Sequence, residues 1–267
     1  MIRWSSRATS RRLSKRVLRR LGRKLFLTTV TVKDGFAYSV YGVWLLQRRD
    51  DNTYNFCCMG DYGFFLSDYI ARQNEPFVFL DIGANAGLYS VLAAQNPYVL
   101  AVHAFEPDPA TLPYLRANLA TAAYANWTVH PVALSDSDGH ASLSTSERHS
   151  GIATLRTNHL DLEAFDSVVT VELKNHQYLD ESVDVFPSVC PVVVKIDVEG
   201  HELNVLRALA AWQGWPSVSA IYLELDSTFS DTYATRAFLE TQGLVEHHRE
   251  GTAAHCDALY TRPVGKG

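Results

Sequence analysis

The stretch FVFLDIGANAGLYS, residues 77–90, decides the fold class of this chain. Its first four residues are apolar and predict a buried strand, and its last residues predict an amphipathic helix. Between them, Gly83 and Gly87 allow backbone angles that a Cβ would block, and Asn85 adopts left-handed conformations readily. The order strand, tight turn, helix is typical of a doubly wound α/β sheet, in which ligands bind beyond the carboxyl ends of the strands.

The segments around this turn continue the same alternation. Apolar runs predict strands at 77–80, 98–105, 128–134, 192–196 and 220–225. Intervening segments predict helices at 88–95, 111–124, 201–212 and 235–242. Near-continuous apolar strands that alternate with helices favour a mostly parallel sheet covered on both faces. The C-terminal HHREGTAAHCDALYTRP predicts an antiparallel edge hairpin that turns at Gly251.

Three parts of the chain are distinguished by their composition. Residues 1–27 are predicted as a basic amphipathic arm, residues 28–76 as a small N-terminal β/α element, and residues 77–267 as the main domain. Within the main domain, residues 135–191 are rich in turn formers. We predict a hairpin there at Asp138-Gly139, with HASLS as its return strand, followed by an irregular segment. An insertion of this length is a natural place for a substrate pocket.

Charge is distributed unevenly along the chain. Residues 1–24 contain ten Lys or Arg and no acid, whereas the rest contains 14 basic and 29 acidic residues. The acidic body disfavours nucleic acid as a partner, because it repels phosphates. The arm can contact an anionic membrane surface peripherally, hold an anionic substrate or partner, or remain a solvated extension. Its Arg/Ser-rich composition also resembles an organelle transit peptide.

Hydropathy and cysteine content bear on the compartment. The sequence has no run of 18 apolar residues, which predicts no spanning helix, and no apolar signal-peptide segment follows the basic start. The cysteines lack the paired spacing of a metal site, and adjacent cysteines such as Cys57 and Cys58 form a disulfide poorly. We therefore expect a cytoplasmic protein, with a peripheral position on the inner face of a membrane as the alternative.

The pattern of the turn, D-x-G-x-N-x-G, restricts what it binds. Its spacing differs from the dinucleotide fingerprint G-x-G-x-x-G, and no Lys or Arg between Asn74 and Ala110 is available to hold phosphates. Asp81 at the strand end can bind an ammonium group directly or through water. Glu106, 19 residues after Gly87, can accept hydrogen bonds from a ribose diol. An amino acid plus a ribose without pyrophosphate describes S-adenosylmethionine. For either acid alone, a role in a helix cap or turn is the alternative.

Polar residues also follow the third and fourth predicted strands. Ser135 or Asp136 can receive the adenine amino group, although DSDG is equally good turn chemistry. Lys195, Asp197 and Glu199 alternate, which on an extended strand places them on one face. Ionisable groups in that position are costly unless they reach the ligand edge and pair with one another.

These considerations predict a catalytic group at the fourth strand. Asp197 and Glu199 are candidate site residues, Lys195 is their deeper partner, and His201 is a candidate general base because it titrates near neutral pH. The alternatives are that Glu199 caps the next helix, that Lys195 is structural, and that His201 is an inert surface histidine.

Several of these motifs together resemble one family. FLDIGANAGLYS, HAFEPDPATLPYLRANL, PVALSDSDG and VVVKIDVEGHELNVLRAL occur in the order and approximate spacing of the FkbM-type methyltransferases, a group similar to class I S-adenosylmethionine-dependent enzymes. The resemblance spans residues 77–210. It implies a Rossmann-like sheet of seven strands and methyl transfer, usually to a hydroxyl oxygen of a sugar, polyketide or related metabolite.

The resemblance also implies roles for individual residues. The methionine side of the cofactor would lie in the loop formed by Asp81, Gly83, Asn85 and Gly87. Glu106 would bind ribose and Asp136 would lie beside adenine. Asp197 and Glu199 would line the reaction centre.

Two forms of hydroxyl activation and two rival functions follow. Asp197, Glu199 or His201 takes the proton of the acceptor hydroxyl, or the two acids hold a divalent cation that polarises it.

One rival function is that of an NAD-dependent oxidoreductase, which the missing G-x-G-x-x-G disfavours. The other is a non-catalytic, membrane-tethered cofactor-binding scaffold, which the intact acids at the strand ends disfavour. The expected partner is a small-molecule or glycan acceptor.

Overall fold

The computed structural model describes residues 31–122, 124, 126–156, 164–183 and 190–263. The predicted basic arm, residues 1–27, lies outside the described residues. Within the described ranges, no helix is both long and apolar enough to cross a membrane. All four cysteines are free, and Cys57, Cys58 and Cys256 are buried.

A seven-stranded sheet with the order β12-β13-β11-β10-β4-β5-β6 forms the centre of the fold. Its strands are β4 Phe77–Ile82, β5 Val99–Phe105, β6 Asn126–His130, β10 Val192–Ile196, β11 Val218–Asp226, β12 Val245–Gly251 and β13 His255–Thr261. The first five are parallel, while β13 pairs antiparallel with β11 and β12 pairs antiparallel with β13. Every residue of β4 and β10 is buried, as expected for central strands of a covered sheet. The α/β fold class, the mostly parallel seven-stranded sheet and the C-terminal hairpin are therefore confirmed.

Helices cover both faces of this sheet. They are α1 Asn52–Met59, α2 Phe65–Ala71, α3 Leu88–Ala94, α4 Leu112–Leu119, α5 His176–Ser182, α6 Glu202–Ala211 and α7 Thr232–Thr241. Side chains alternate along β4, so Phe77 and Phe79 join one buried cluster and Val78 and Leu80 join the other. The first cluster contains residues of α1 to α4, and the second contains residues of α5 to α7. These two apolar layers fix the sheet, and with it the edge at which the strands end.

The N-terminal element packs on the first of these layers. It contains a three-stranded antiparallel sheet of β1 Val32–Lys33, β2 Phe36–Tyr38 and β3 Trp44–Leu46, followed by α1 and α2. Ala37 and Leu45 are buried in the same cluster as Phe77 and Phe79 of β4. This segment therefore contains both strands and helices, and α1 is a helix that the sequence analysis did not identify.

The predicted hairpin at Asp138-Gly139 is wrong. The return strand exists as β8 Gly139–Thr145, but its antiparallel partner is β9 Ser167–Lys174, which also pairs in parallel with β7 Ala133–Leu134. Pro131 has no backbone N–H and separates β6 from β7, so the predicted third strand is split and β7 is only two residues long. The eight residues of β9 offer β8 a full-length partner, so part of the predicted irregular segment is a strand.

Candidate active site

A cavity of about 560 Å³ lies at the carboxyl ends of the parallel strands. Strands β5 and β6 follow β4 in the sequence and lie on one side of it in the sheet, whereas β10 lies on the other side of β4. Ligands in open α/β sheets bind at such a topological switch point. The volume falls within the range of small-molecule pockets. The cavity therefore has the position and size of a ligand site.

The glycine-rich turn forms one side of this cavity. Gly83, Asn85 and Gly87 all have positive φ angles, of 75°, 49° and 84°. A Cβ on Gly83 would lie 1.8 Å from the carbonyl oxygen of Asp197. The turn must therefore carry glycine at that position to pack against the end of β10, as the sequence analysis expected for a tight turn.

Glu106 lines the same side of the cavity, at the end of β5. Its two carboxylate oxygens accept hydrogen bonds from the backbone N–H groups of Asn85 and Asp108, each at 2.8 Å. Burial raises the pKa of Glu106 to about 7, although these two hydrogen bonds act in the opposite direction. Each oxygen keeps a second lone pair, so the carboxylate can accept further hydrogen bonds while it holds the turn.

Asp81, Lys195 and Asp197 form an ion-pair network beneath the turn. Lys195 lies directly opposite Asp81 in the parallel pair of β10 and β4. The Lys195 Nζ is 3.3 Å from both Asp81 Oδ1 and Asp197 Oδ2, and it donates a hydrogen bond to the Gly83 carbonyl at 2.6 Å. Burial opposes the ammonium, but Asp197 and Asp81 outweigh it and raise the pKa of Lys195. Lys195 is thus a permanently charged partner rather than a base.

Asp81 itself is only 1% exposed and is not among the residues that line the cavity. Its Oδ2 accepts a hydrogen bond of 2.6 Å from Ser90 Oγ in α3. The structure therefore supports Asp81 as a residue that positions the turn through Lys195 and Ser90. Direct contact between Asp81 and an ammonium group stays a prediction.

Glu199 and His201 follow the end of β10 and line the cavity. Glu199 has a φ of 47°, and its carbonyl accepts a hydrogen bond of 2.7 Å from Thr154 Oγ1. Helix α6 begins at Glu202, whose own carboxylate accepts from the Gly200 N–H, so the helix does not use Glu199 as a cap. Burial lowers the pKa of His201, whose Nε2 is 3.0 Å from Ser135 Oγ.

The predicted adenine contacts have other partners in the structure. Ser135 contacts His201, and Asp136 accepts hydrogen bonds from Asn204 and Arg207 at 3.0 Å and 3.3 Å. Neither Ser135 nor Asp136 lines the cavity. Their contact with adenine stays a prediction.

Six acidic or histidine residues of the cavity were missed by the sequence analysis: Asp61, His149, Glu224, Asp226, His255 and Asp257. Glu224 and Asp226 alternate at the end of β11, as Asp197 and Glu199 do after β10. That signal was present in the sequence. Asp257 and His255 lie opposite Glu224 and Asp226 in the antiparallel pair of β11 and β13. Their position depends on that register, which periodicity does not reveal.

Asp197, Glu199 and Glu224 converge in the cavity. One carboxylate oxygen from each lies within 4.8 Å of the others. Burial and neighbouring like charges raise the pKa of both Glu199 and Glu224, so this group retains a proton near neutral pH. His255 bridges the next pair, with Nε2 2.9 Å from Glu224 and Nδ1 2.8 Å from Asp226. The arrangement can accept a proton or ligate a cation.

The N-terminal element and the insertion close the cavity above the turn. Asp51 caps α1 by accepting from the Thr53 N–H, and it also accepts from the Ser150 N–H and Oγ at 3.1 Å and 2.6 Å. Ser150 Oγ is 3.1 Å from Asn85 Oδ1 in the glycine-rich turn. A second link joins the Gly151 N–H to Thr53 Oγ1 at 2.7 Å. Residues of α1 and the insertion therefore line the cavity, and a role of the insertion in binding substrate stays a prediction.

Comparison with known proteins agrees with this geometry. The family described as "Methyltransferase FkbM domain" matches residues 81–248. "Hexuronic acid methyltransferase AglP" of Haloferax volcanii is 30% identical over 175 residues, which cover 65% of this chain and 66% of that protein. "Methyltransferase 1" of Beauveria bassiana is 24% identical over 188 residues, which cover 66% of this chain and 75% of that protein.

Several solved structures are similar in fold. One of them, TrmK of M. capricolum in complex with S-adenosyl-homocysteine, is 10% identical and has a TM-score of 0.42. The similarity covers 74% of this chain and 68% of that chain. At this level it carries no conclusion about ligand or substrate.

The switch-point cavity and the glycine turn define the class as a Rossmann-like α/β protein with a ligand site at the carboxyl edge of the sheet. The family match extends over most of the chain and includes the turn, β10 and β11. The chain belongs to the FkbM methyltransferase family, and it is a methyltransferase. The oxidoreductase and scaffold alternatives are thereby set aside.

Proposed function

We propose that this protein transfers a methyl group from S-adenosylmethionine to a hydroxyl oxygen of a sugar or glycan. The observation that carries the proposal is the convergence of Asp197, Glu199 and Glu224 in the cavity that also contains the glycine turn and Glu106. The sugar acceptor is further supported by the Haloferax relative, whose name specifies a hexuronic acid.

The residues on the β4 and β5 side fit this cofactor. The turn around Gly83 and Gly87 leaves no room for side chains against the protein, since a Cβ on Gly87 would lie 2.5 Å from Leu115, so its backbone faces the cavity. Glu106 retains acceptor capacity for a ribose diol at the end of β5. The absence of Lys and Arg from this stretch suits a ligand without phosphates. S-adenosylmethionine, when bound, supplies an electrophilic methyl group.

The protein's own task is to orient the acceptor and to receive its proton. Methyl transfer is an in-line displacement, so alignment and exclusion of water contribute much of the rate. We assign Glu199 as the base. Asp197 is held by Lys195 at 3.3 Å, and His201 is engaged with Ser135, whereas the raised pKa of Glu199 matches proton transfer near neutral pH.

A divalent cation is the alternative means of activation. The three carboxylates of Asp197, Glu199 and Glu224 are close enough together to ligate one ion, and oxygen ligands suit Mg²⁺ or Mn²⁺. A cation held there would polarise the acceptor hydroxyl. Dialysis against EDTA separates the two forms, since the base mechanism predicts full activity without added metal. Loss of activity that Mg²⁺ or Mn²⁺ restores would favour the cation.

The test of the proposed function measures release of S-adenosylhomocysteine with sugar acceptors. We expect Glu199→Gln to lower kcat by about 10²- to 10⁴-fold, the usual range for a lost general base, with cofactor affinity unchanged. In the native protein kcat/KM should rise with pH above neutrality, because burial and like charges raise the pKa of Glu199, and this rise should disappear in the variant.

Glu240→Gln is the matched control, because Glu240 is exposed at the end of α7 and outside the cavity. It should leave the rate and its pH profile unchanged. A Glu199→Gln protein with native kcat would refute the assignment of the base. Failure of every hydroxyl acceptor, with the cofactor still bound, would refute the proposed function.

A further inference from the structure

The acceptor side of the cavity carries an excess of negative charge. Five carboxyl groups line it at the ends of β10, β11 and β13, and they belong to Asp197, Glu199, Glu224, Asp226 and Asp257. Among the described residues that line the whole cavity, Lys195 is the one Lys or Arg. Its ammonium is already shared between Asp81 and Asp197.

The histidines of the cavity offer no unpaired cation to a substrate carboxylate. Burial lowers the pKa of His149 and of His201, so both are neutral at pH 7. His255 lies between Glu224 and Asp226 and is engaged by both carboxylates. In the described part of the cavity wall, a carboxylate on the substrate would therefore find no cation that is not already paired.

The carboxyl groups of the acceptor side lie close to one another. One carboxylate oxygen from each of Asp197, Glu199 and Glu224 lies within 4.8 Å of the others, and Asp257 lies opposite Glu224 in the pair of β11 and β13. A substrate carboxylate placed among them would be repelled, whereas a substrate ammonium would be attracted.

We infer that the acceptor half of this cavity selects its substrate by charge, so that a ring with an ammonium group binds better than a neutral ring, and both bind better than a ring with a carboxylate. The inference rests on the proposed function, because it takes the acceptor to be a sugar. It predicts an amino sugar or neutral sugar as the preferred acceptor, in contrast to the hexuronic acid in the name of the Haloferax relative.

The test uses three probes that share one ring and differ in charge: methyl glucosaminide, methyl glucoside and methyl glucuronide. Their affinities are measured by NMR titration of the full chain saturated with S-adenosylhomocysteine, at about pH 7, where most of the amine is protonated and Asp257 is largely ionised. We expect the glucuronide to bind at least about tenfold more weakly than the glucoside, and the glucosaminide to bind more tightly. High salt should reduce the differences in affinity among the three probes, because mobile ions screen charge.

A charge-removing variant separates electrostatics from ring shape. Asp257→Asn keeps the size of the side chain and should raise the affinity for the glucuronide relative to the glucoside by about threefold or more. Asp68→Asn is the control, because Asp68 is exposed on α2 and outside the cavity, and it should leave all ratios unchanged.

Equal affinities for the three probes, no detectable binding of any, or preference for the glucuronide would overturn the inference. So would an Asp257→Asn variant with native ratios. The proposed function is tested separately by the methylation assay. A preferred glucuronide that is methylated would refute the charge selection and leave the function standing. Ordered binding without methylation of any hydroxyl would refute the function.

Discussion

Replacement of Gly83 by alanine should damage both the fold and the cofactor site, because this residue lies against the end of β10. The new Cβ would lie 1.8 Å from the Asp197 carbonyl oxygen and 3.2 Å from Val198 Cγ1. Relief of the first contact requires a shift of more than about 1 Å, since real Cβ contacts are rarely shorter than 3.0 Å. That shift would strain the hydrogen bond of 3.0 Å from the Asp197 N–H to the Ile82 carbonyl.

The size of the effect follows from two contributions. A non-glycine residue with positive φ costs about 1–2 kcal/mol, and a lost backbone hydrogen bond costs about 1 kcal/mol more. With the displacement of β10 added, we expect Gly83→Ala to lose at least about 3 kcal/mol of folding free energy. For a chain of this size that loss lowers Tm by about 6–12 °C. Affinity for S-adenosylhomocysteine should fall at least about tenfold, because the turn must move.

Gly243→Ala is a closely matched control. Gly243 has a φ of 77°, against 75° for Gly83, and an added Cβ would have no neighbour within 4 Å. This variant carries the backbone strain alone, so its Tm should fall by about 2–8 °C and its cofactor affinity should be native. Thermal unfolding and calorimetric titration of both variants check the prediction. Equal losses of Tm in the two proteins, or native affinity in Gly83→Ala, would refute the argument from close approach.

Three further predictions concern the insertion, the buried histidines and the arm. Asp51→Ala removes a helix cap and two hydrogen bonds to Ser150, so the free energy of unfolding should fall by about 2–4 kcal/mol. The control is Asp231→Ala, which removes only an exposed cap of α7 and should cost about 1 kcal/mol. Equal losses in the two variants would contradict the link between Asp51 and the insertion. Burial and His103 lower the pKa of His130 to about 4, so the folded state binds its proton less readily than the unfolded state. The stability that neutral His130 contributes is therefore lost as the pH falls below about 6.5. Urea unfolding should show a free energy of unfolding about 2 kcal/mol lower at about pH 5 than at about pH 7, and this difference should be absent in His130→Phe. An identical pH dependence in both proteins would contradict the prediction. If residues 1–24 bind an anionic membrane, their deletion should abolish sedimentation with anionic liposomes while turnover of a soluble acceptor is retained, and retained sedimentation would exclude that role.

Most of the central sheet was predictable because its signals are local. The apolar runs at β4 and β10 need no distant partner to identify them as buried strands, and Gly83 and Asn85 mark the turn through their own backbone preferences. The insertion was less predictable. Strand β7 has only two residues beyond Pro131, and the true partner of β8 begins at Ser167. Pairing across that distance depends on which strands meet in space, which a hairpin signal at Asp138-Gly139 does not report.

The site divides in the same way. By itself the sequence determined that Glu106, Lys195, Asp197 and Glu199 lie at the ends of strands, because the local hydropathy pattern indicates where strands and helices alternate. Tertiary structure alone decided which acids meet: the register of β11 and β13 brings Glu224 and Asp226 opposite Asp257 and His255. It also joined Asp51 to Ser150, 99 residues apart. Periodicity acts over a few residues, whereas the charge of this cavity is the sum of side chains that only packing brings together.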